Sequence, residues 1–225
     1  MQDLVKQEQF ELEVLDSLNS KKLLASLVFC GGTMLRLCHG LDRFSVDLDF
    51  WVVKAIDEKK LFSGLRDCLS MDYEVKDAAS KFHTMLFEIR SRDYPRALKI
   101  EIRKESKKIG TEKMIAYSRY SDLQVILTVV RLDDMMKSKV EAFLGRAEAR
   151  DLFDIEFLVK KGIGLNAVPA DSLRKVMKKM EELNKHDYGT RLGSLLEARE
   201  RLYYMKEHFK ILKARIASEL SSSDK

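Results

Sequence analysis

The sequence predicts an α+β protein in two parts, a mixed sheet with helices over residues 1–132 and a helical bundle over residues 133–225. Short apolar, β-branched or aromatic runs recur up to residue 131 and are separated by turn residues, which is typical of strands. After residue 133 these runs stop, and apolar residues recur at helical spacing. A pair of glycines also follows the first strand-like run, where a chain can pass tightly from a strand into a helix.

The elements of the first part follow from these patterns in order. Apolar positions three or four residues apart predict helices, and Asp57 is a suitable N-cap for the third of them. The predicted helices cover 2–19, 33–40 and 57–71. Runs with period-two alternation or β-branched side chains predict strands. The predicted strands cover 26–30, 45–53, 73–76, 83–90, 98–104, 114–119 and 125–131.

The second part is predicted to be helical throughout. Helical periodicity continues to the C-terminal region, and two glycines and a proline interrupt it after the second helix. The predicted helices cover 133–146, 150–161, 171–184 and 190–220.

Bulk composition excludes several classes of protein. No apolar run approaches the length of a membrane span, and the N-terminal residues lack an apolar signal core, so we expect a cytoplasmic protein without a membrane partner. The net charge of +5 permits a polyanionic partner without demanding one. Cys30, Cys38 and Cys68 have no paired spacing and are expected to be buried free thiols. The four histidines are scattered, which argues against a zinc site.

The strand predicted at 45–53 carries two aspartates. Side chains alternate between the two faces of a strand, so Ser45, Asp47 and Asp49 share one face while the apolar residues between them point into a core. Two neighbouring carboxylates repel each other unless a cation lies between them, and Mg²⁺ prefers such oxygen ligands. The alternative is a surface aspartate pair on a buried strand–helix–strand unit.

The residues at 31–33 predict a phosphate-binding turn. Gly31 and Gly32 allow backbone N–H groups to approach a phosphate, and Thr33 opens a helix whose positive end lies there. Arg36 and Arg43 flank this turn. Each of these arginines has two open roles, either neutralising a phosphate or pairing with a nearby acid.

The joined spacing of Gly-Gly and Asp-x-Asp resembles the signature of the DNA polymerase β-like nucleotidyltransferase superfamily. More narrowly, Gly-Gly-Thr-x-Leu-Arg followed by Arg-Phe-Ser-x-Asp-Leu-Asp-Phe resembles the AbiEii/AbiGii-type nucleotidyltransferase toxins of type IV toxin–antitoxin and phage-abortive-infection systems. The resemblance implies a polymerase β-like sheet domain over 1–132. It also implies a helical domain over 133–225 that completes the active-site cleft.

The resemblance implies an activity and its partners. A type IV toxin-like enzyme would transfer NMP from an NTP to an acceptor, for which the tRNA 3′ end is the leading candidate. Two-metal catalysis with Mg²⁺, or Mn²⁺ in its place, would serve both ends of the displacement. A cognate antitoxin protein is expected as well. The alternatives are a small-molecule or protein nucleotidylyltransferase, and a catalytically quiet nucleotide- or RNA-binding module, against which the intact aspartate pair argues.

The superfamily usually supplies a third metal-binding carboxylate from a neighbouring strand. Glu101 occupies such a position, because the run Leu-Lys-Ile-Glu-Ile-Arg alternates and places Glu101 with Lys99 and Arg103 on one face. The alternative for Glu101 is an exposed strand face with cross-strand ion pairs.

A second block, at residues 136–154, resembles the downstream pattern of the family. It consists of a helix bearing Lys139 and an Arg-Asp-x-x-Asp motif that opens the next helix. Taken alone, the block fits Asp151 as a helix cap and Asp154 as an ion-pair partner. The resemblance instead implies catalytic roles for Asp47, Asp49, Lys139 and Asp151. It implies nucleotide binding by Gly31, Gly32, Thr33, Arg36, Ser45, Arg146 and Asp154, and metal binding by Asp47, Asp49 and Glu101.

Overall fold

The structure is a computed structural model that describes residues 1–54, 56–105 and 108–223. The chain divides into two compact units, Met1–Arg131 and Leu132–Lys225. The first unit combines a sheet with helices, and the second is helical. The predicted α+β class is therefore confirmed.

The first unit is built on a seven-stranded mixed sheet of order β3-β4-β5-β2-β1-β7-β6. Strand β1 pairs antiparallel with β2 and parallel with β7, and β2 pairs parallel with β5. The strands are β1 Leu27–Cys30, β2 Asp47–Val52, β3 Glu74–Ser80, β4 Thr84–Arg90, β5 Leu98–Arg103, β6 Thr111–Tyr117 and β7 Gln124–Val130. The helices of this unit are α1 Gln2–Ser20, α2 Gly31–His39 and α3 Glu58–Asp72.

Alternation along β4, β5 and β7 explains where the core of the sheet unit lies. Met85, Phe87 and Ile89 on β4 are fully buried, whereas the residues between them are partly exposed. Strand β5 follows the same rule with Leu98, Ile100 and Ile102. Helix α1 packs against β7, and α2 packs against β2 and β6. The three cysteines are buried thiols that form no disulfide, as the sequence predicts.

Helix α2 starts earlier than the sequence predicts. Gly31 and Gly32 form its first turn and do not precede it, and β2 begins at Asp47, so Ser45 lies in the loop before the strand. Asp57 accepts a hydrogen bond from the backbone N–H of Lys60, which confirms it as the N-cap of α3. Within the described part of the chain, no helix is both long and apolar enough to cross a membrane.

The second unit contains five α-helices and two short irregular helical turns in its described residues. Helix α4 packs against α5 and α6, and α6 packs against α8. The helices are α4 Leu132–Arg146, α5 Ala149–Lys160, α6 Ala170–Glu181, α7 Ala198–Glu207 and α8 Lys210–Ser223. A π-helical turn Asp187–Leu192 and a 3₁₀ turn Gly193–Leu195 lie between α6 and α7.

The continuous helix predicted over 190–220 is wrong. The segment breaks before Ala198 and again at His208, whose φ is +52°. The buried carboxylate of Glu156 on α5 helps to fix the second break, because it accepts hydrogen bonds from the Tyr204 hydroxyl and from the backbone N–H of Leu212. The nearby Lys160 ammonium lies 2.8 Å from the same carboxylate.

Candidate active site

The two aspartates of β2 lie at the start of the strand on one face of the sheet, and both are partly exposed. Leu48 and Phe50, which alternate with them, are completely or almost completely buried. Asp49 is the register partner of Cys30 on β1 and of Glu101 on β5. The acid pair therefore lies on β2, between its neighbours β1 and β5, and next to the point where β1 leads into α2.

Gly31 makes the close approach of α2 to this pair possible. Its φ of +80° is strained for an L-residue, and a Cβ at this position would overlap the Asp49 carboxylate. A Cβ at Gly32 would lie 2.5 Å from Arg43 Nη2 and 2.8 Å from Ser45 Oγ. The two glycines thus bring the first turn of α2 against the acid pair and against the loop that precedes it.

Gly31→Ala is expected to lower strongly the nucleotide transfer that the family resemblance implies, because the added methyl group displaces the Asp49 carboxylate. Gly40→Ala is the matched control, since Gly40 also has a positive φ of +76° but open space around its Cβ position. Backbone strain should cost each variant about 1–2 kcal/mol of unfolding free energy, and the overlap with Asp49 should cost Gly31→Ala more. Transfer rates measured on folded protein should fall for Gly31→Ala alone, and equal activity of the two variants would contradict the overlap argument.

The loop before β2 is held by several hydrogen bonds. Thr33 Oγ1 donates to the Asp47 carbonyl at 2.6 Å, and the buried Arg43 donates to the Phe44 carbonyl at 2.9 Å. Thr33 itself is fully buried. These contacts give Thr33 and Arg43 structural functions in addition to any contact with a phosphate.

Arg36 is engaged inside the protein. Its Nε donates to Glu8 Oε2 on α1, and its Nη1 donates to the Leu41 carbonyl at 3.1 Å. The side chain is 12% exposed. Of the two roles that the sequence left open, pairing with an acid is the one found here, and its predicted nucleotide contact stays a prediction.

Glu101 lies beside Asp49 in the register, on the neighbouring strand, as the alternation predicts. Its carboxylate is 3.5 Å from Arg103, and its side chain is 39% exposed. Across residues 1–54, 56–105 and 108–223, no group of three or more His, Cys, Asp or Glu side chains is arranged to hold a metal ion. The role of Glu101 as a third metal ligand therefore stays a prediction.

A neighbouring acid, Glu11 on α1, was not anticipated. Its side chain is completely buried, and neither carboxylate oxygen has a hydrogen-bond partner in the described structure. Burial raises the pKa of Glu11 well above its ordinary value, and the carboxylates of Glu8 and Asp47 raise it further, against a smaller lowering by Arg36. The surroundings of Glu11 therefore favour its protonated form more strongly than water does.

Glu11→Gln is expected to raise the free energy of unfolding more at pH 8 than at pH 5 in metal-free buffer. A raised folded-state pKa means that the folded protein holds the proton more tightly than the unfolded chain does. Wild-type stability therefore falls as the pH rises above the ordinary carboxyl value of 4.5 towards the folded-state pKa. Urea unfolding at both pH values measures the effect, with Asp16→Asn on the exposed side of α1 as control. Parallel pH curves for Glu11→Gln and wild type would contradict it.

The predicted residues of the helical unit form one ion network. Lys139 Nζ lies 2.7 Å from Asp154 Oδ2 and 3.8 Å from Asp151 Oδ1. Arg146 donates from Nε and Nη2 to the two carboxylate oxygens of Asp151, both at 2.7 Å. Both aspartates are completely buried, and the Lys139 side chain is 8% exposed. The structure thus brings Lys139, Arg146, Asp151 and Asp154 together within this unit.

The network decides between the local interpretations of the Arg-Asp-x-x-Asp motif. Helix α5 starts after Glu148 without a side-chain cap, so Asp151 is an ion-pair partner and does not cap the helix. Asp154 pairs with Lys139, as the simple ion-pair interpretation expects. Roles for these residues in catalysis or nucleotide binding remain predictions.

Comparison with known proteins places the chain in a family. Residues 13–222 match the family model described as the nucleotidyl transferase AbiEii toxin of type IV toxin–antitoxin systems. A comparison with curated protein sequences gives no match.

Two solved structures share the fold. JHP933 from Helicobacter pylori is similar with a TM-score of 0.54 and 22% identity, over 93% of this chain and 97% of that one. MenT4, a nucleotidyltransferase toxin from Mycobacterium tuberculosis, is similar with a TM-score of 0.55 and 18% identity, over 92% of this chain and 85% of that one. At these identities the structures support the fold, and the family model carries the assignment. The chain belongs to the AbiEii nucleotidyltransferase toxin family of type IV toxin–antitoxin systems.

Proposed function

We propose that this toxin transfers a nucleoside monophosphate from an NTP to the 3′ end of tRNA, with Asp47 and Asp49 as ligands of Mg²⁺ or Mn²⁺. The observation that carries the proposal is the contact between the Asp49 carboxylate and Gly31, where the first turn of α2 has no Cβ. A carboxylate pair and the N-terminal turn of a helix then lie side by side. This combination suits a metal-bound triphosphate, because carboxylates hold the cation and helix N–H groups favour phosphate.

The donor set fits a hard divalent cation. Asp47 and Asp49 offer carboxylate oxygens on one partly exposed face, with Glu101 as the candidate third ligand on β5. When bound, the metal would promote attack by the acceptor hydroxyl and neutralise the leaving pyrophosphate. Backbone N–H groups at Gly31, Gly32 and Thr33 would orient the phosphates, and Ser45 would hydrogen-bond to the nucleotide.

Further roles follow from family membership. We assign catalytic roles to Lys139 and Asp151, and nucleotide binding to Arg146 and Asp154. A cognate antitoxin protein is the expected partner, because type IV systems pair a toxin with an antitoxin. The tRNA acceptor is compatible with the net charge of +5.

The test is incubation of the pure protein with each α-³²P-labelled NTP in turn, Mg²⁺ and total tRNA. Label on the tRNA 3′ end supports the proposal, and the NTP that gives label identifies the donor. Label that appears only on a small molecule or on a protein would replace tRNA by that acceptor. RNA affinity should also fall with salt at a log–log slope of about −0.7 per neutralised phosphate on a single strand.

A further inference from the structure

Helix α1 turns polar side chains towards the interior of the sheet unit. Gln7, Glu8 and Glu11 are all buried, with at most 3% exposure. The Glu8 carboxylate accepts hydrogen bonds from Arg36 Nε on α2 and from the Ser118 hydroxyl after β6. Glu8 is thus the centre of a buried charged contact between α1 and α2.

The other side of Arg36 faces the loop that leads into β2, which we call the entry loop (residues 41–46). Arg36 Nη1 donates to the Leu41 carbonyl at 3.1 Å. The guanidinium carbon lies 3.9 Å from the centre of the Phe44 ring, which is a cation–π contact. The Arg36 guanidinium therefore contacts three groups. These are the Glu8 carboxylate on α1, the Leu41 carbonyl at the start of the entry loop and the Phe44 ring near its middle.

The end of the entry loop is held from the same two helices. Gln7 Nε2 on α1 lies 3.3 Å from the Val46 carbonyl, and Thr33 Oγ1 on α2 donates to the carbonyl of the next residue, Asp47. The backbone that leads through Ser45 to Asp47 is therefore bound on both sides of Ser45. None of these contacts uses the side chains that the proposed function assigns to metal.

We propose that Glu8 and Arg36 are positioning residues for nucleotidyl transfer, which fix the entry loop so that Asp47 and Ser45 adopt their working geometry. The inference rests on the proposed function. A buried ion pair is weak evidence for stability, since apolar replacements of similar size often stabilise as well. A planar guanidinium with a fixed fork of donors does, however, define the orientation of the groups that it binds.

The double variant Glu8→Leu/Arg36→Met separates position from stability, because it replaces the whole pair by apolar side chains. We expect a folded protein, by circular dichroism and thermal unfolding, whose kcat for transfer is about a hundredfold lower, the effect of a misplacement of about 1 Å. The Mn²⁺ concentration that half-saturates the protein should also rise. It is measured in the absence of NTP from the electron paramagnetic resonance signal of free Mn²⁺. Gln9→Leu is the control, because Gln9 is also on α1 and donates to a backbone carbonyl, that of Tyr120, which is not part of the entry loop.

Arg36→Lys is the second variant, and it keeps a positive charge beside Glu8 while losing the guanidinium fork and its face over Phe44. It should fold and show the same fall in kcat, whether or not the double variant folds. Wild-type kcat and Mn²⁺ affinity in Arg36→Lys, or in a folded double variant, would overturn the positioning role and leave the proposed function intact. A wild-type protein that binds no Mn²⁺ and transfers no nucleotide would overturn both.

Discussion

Asp49→Asn is expected to fold normally and to transfer nucleotide at least about a thousandfold more slowly than wild type, since loss of the proposed metal ligand would remove several kcal/mol of transition-state stabilisation. Asparagine keeps the shape of the side chain against Gly31 but cannot neutralise a divalent cation. Removing one charge of the acid pair relieves repulsion with Asp47 in metal-free buffer. The unfolding free energy should therefore change by less than about 1 kcal/mol.

The measurement is incorporation of labelled nucleotide across a titration of Mg²⁺ or Mn²⁺, together with denaturant unfolding in metal-free buffer. Asp42→Asn is the matched control, because Asp42 is exposed in the loop before β2 and is assigned no role. Asp42→Asn should keep wild-type rates. If Asp49→Asn transferred nucleotide at the wild-type rate, the proposed metal site on β2 would be contradicted.

Lys139→Ala is expected to destabilise the protein by about 3–5 kcal/mol, the typical cost of removing one partner from a buried ion pair. The substitution removes the ammonium that lies 2.7 Å from Asp154 and 3.8 Å from Asp151, two carboxylates without solvent exposure. Lys137→Ala is the control on the same helix. Its ammonium pairs with Asp134 at 3.1 Å on the surface, and its loss should cost no more than about 1 kcal/mol.

Transfer by the folded fraction of Lys139→Ala should also fall, by about ten- to a hundredfold, if the lysine contacts phosphate with the 1.5–3 kcal/mol of a charge-assisted hydrogen bond. Unfolding by urea gives the folded fraction, and the transfer assay is then normalised to it. A large loss of stability with unchanged activity per folded molecule would make Lys139 a purely structural residue. An unchanged unfolding free energy would contradict the energetic importance of the ion network.

The sequence was sufficient to predict the neighbourhood of the acid pair, because two local rules act there without competition. Period-two alternation puts Asp47 and Asp49 on one face, and consecutive glycines mark a close backbone approach. The structure adds what Gly31 approaches, namely the Asp49 carboxylate. That contact joins strand β2 to the start of α2, and no local pattern contains it.

The prediction of secondary structure was less accurate where tertiary contacts determine the backbone conformation. Strand β3 extends to Ser80, although only 73–76 was predicted, because its polar and alanine-rich second half gains order by pairing with β4. The predicted helix over 190–220 is interrupted where side chains, one of its own and one from α5, bind its backbone. Arg201 donates to the Gly193 carbonyl at the first break, and Glu156 accepts from Leu212 N–H after the second.

The buried acids of α1 illustrate a different limit. Leu4, Glu8, Glu11, Leu15 and Leu18 occupy one helical stripe, so the two glutamates interrupt an otherwise apolar face. That interruption is a detectable signal of buried charge. Its meaning depends on Arg36, Ser118 and Asp47, which are distant in sequence, and it could be interpreted only from the folded structure.

The position of β1 in the middle of the sheet has a consequence for when the candidate site can form in a newly made chain. Strand β1 ends at the glycines of the candidate site and is flanked by β2 on one side and by β7 on the other. Although Gly31 and both aspartates leave the ribosome early, β7 is the last strand of the sheet to be synthesised. Pairing between such distant segments is slow, because a long stretch of chain must be closed into a loop first. A nascent chain should therefore lack a formed candidate site until most of its sheet unit has been translated.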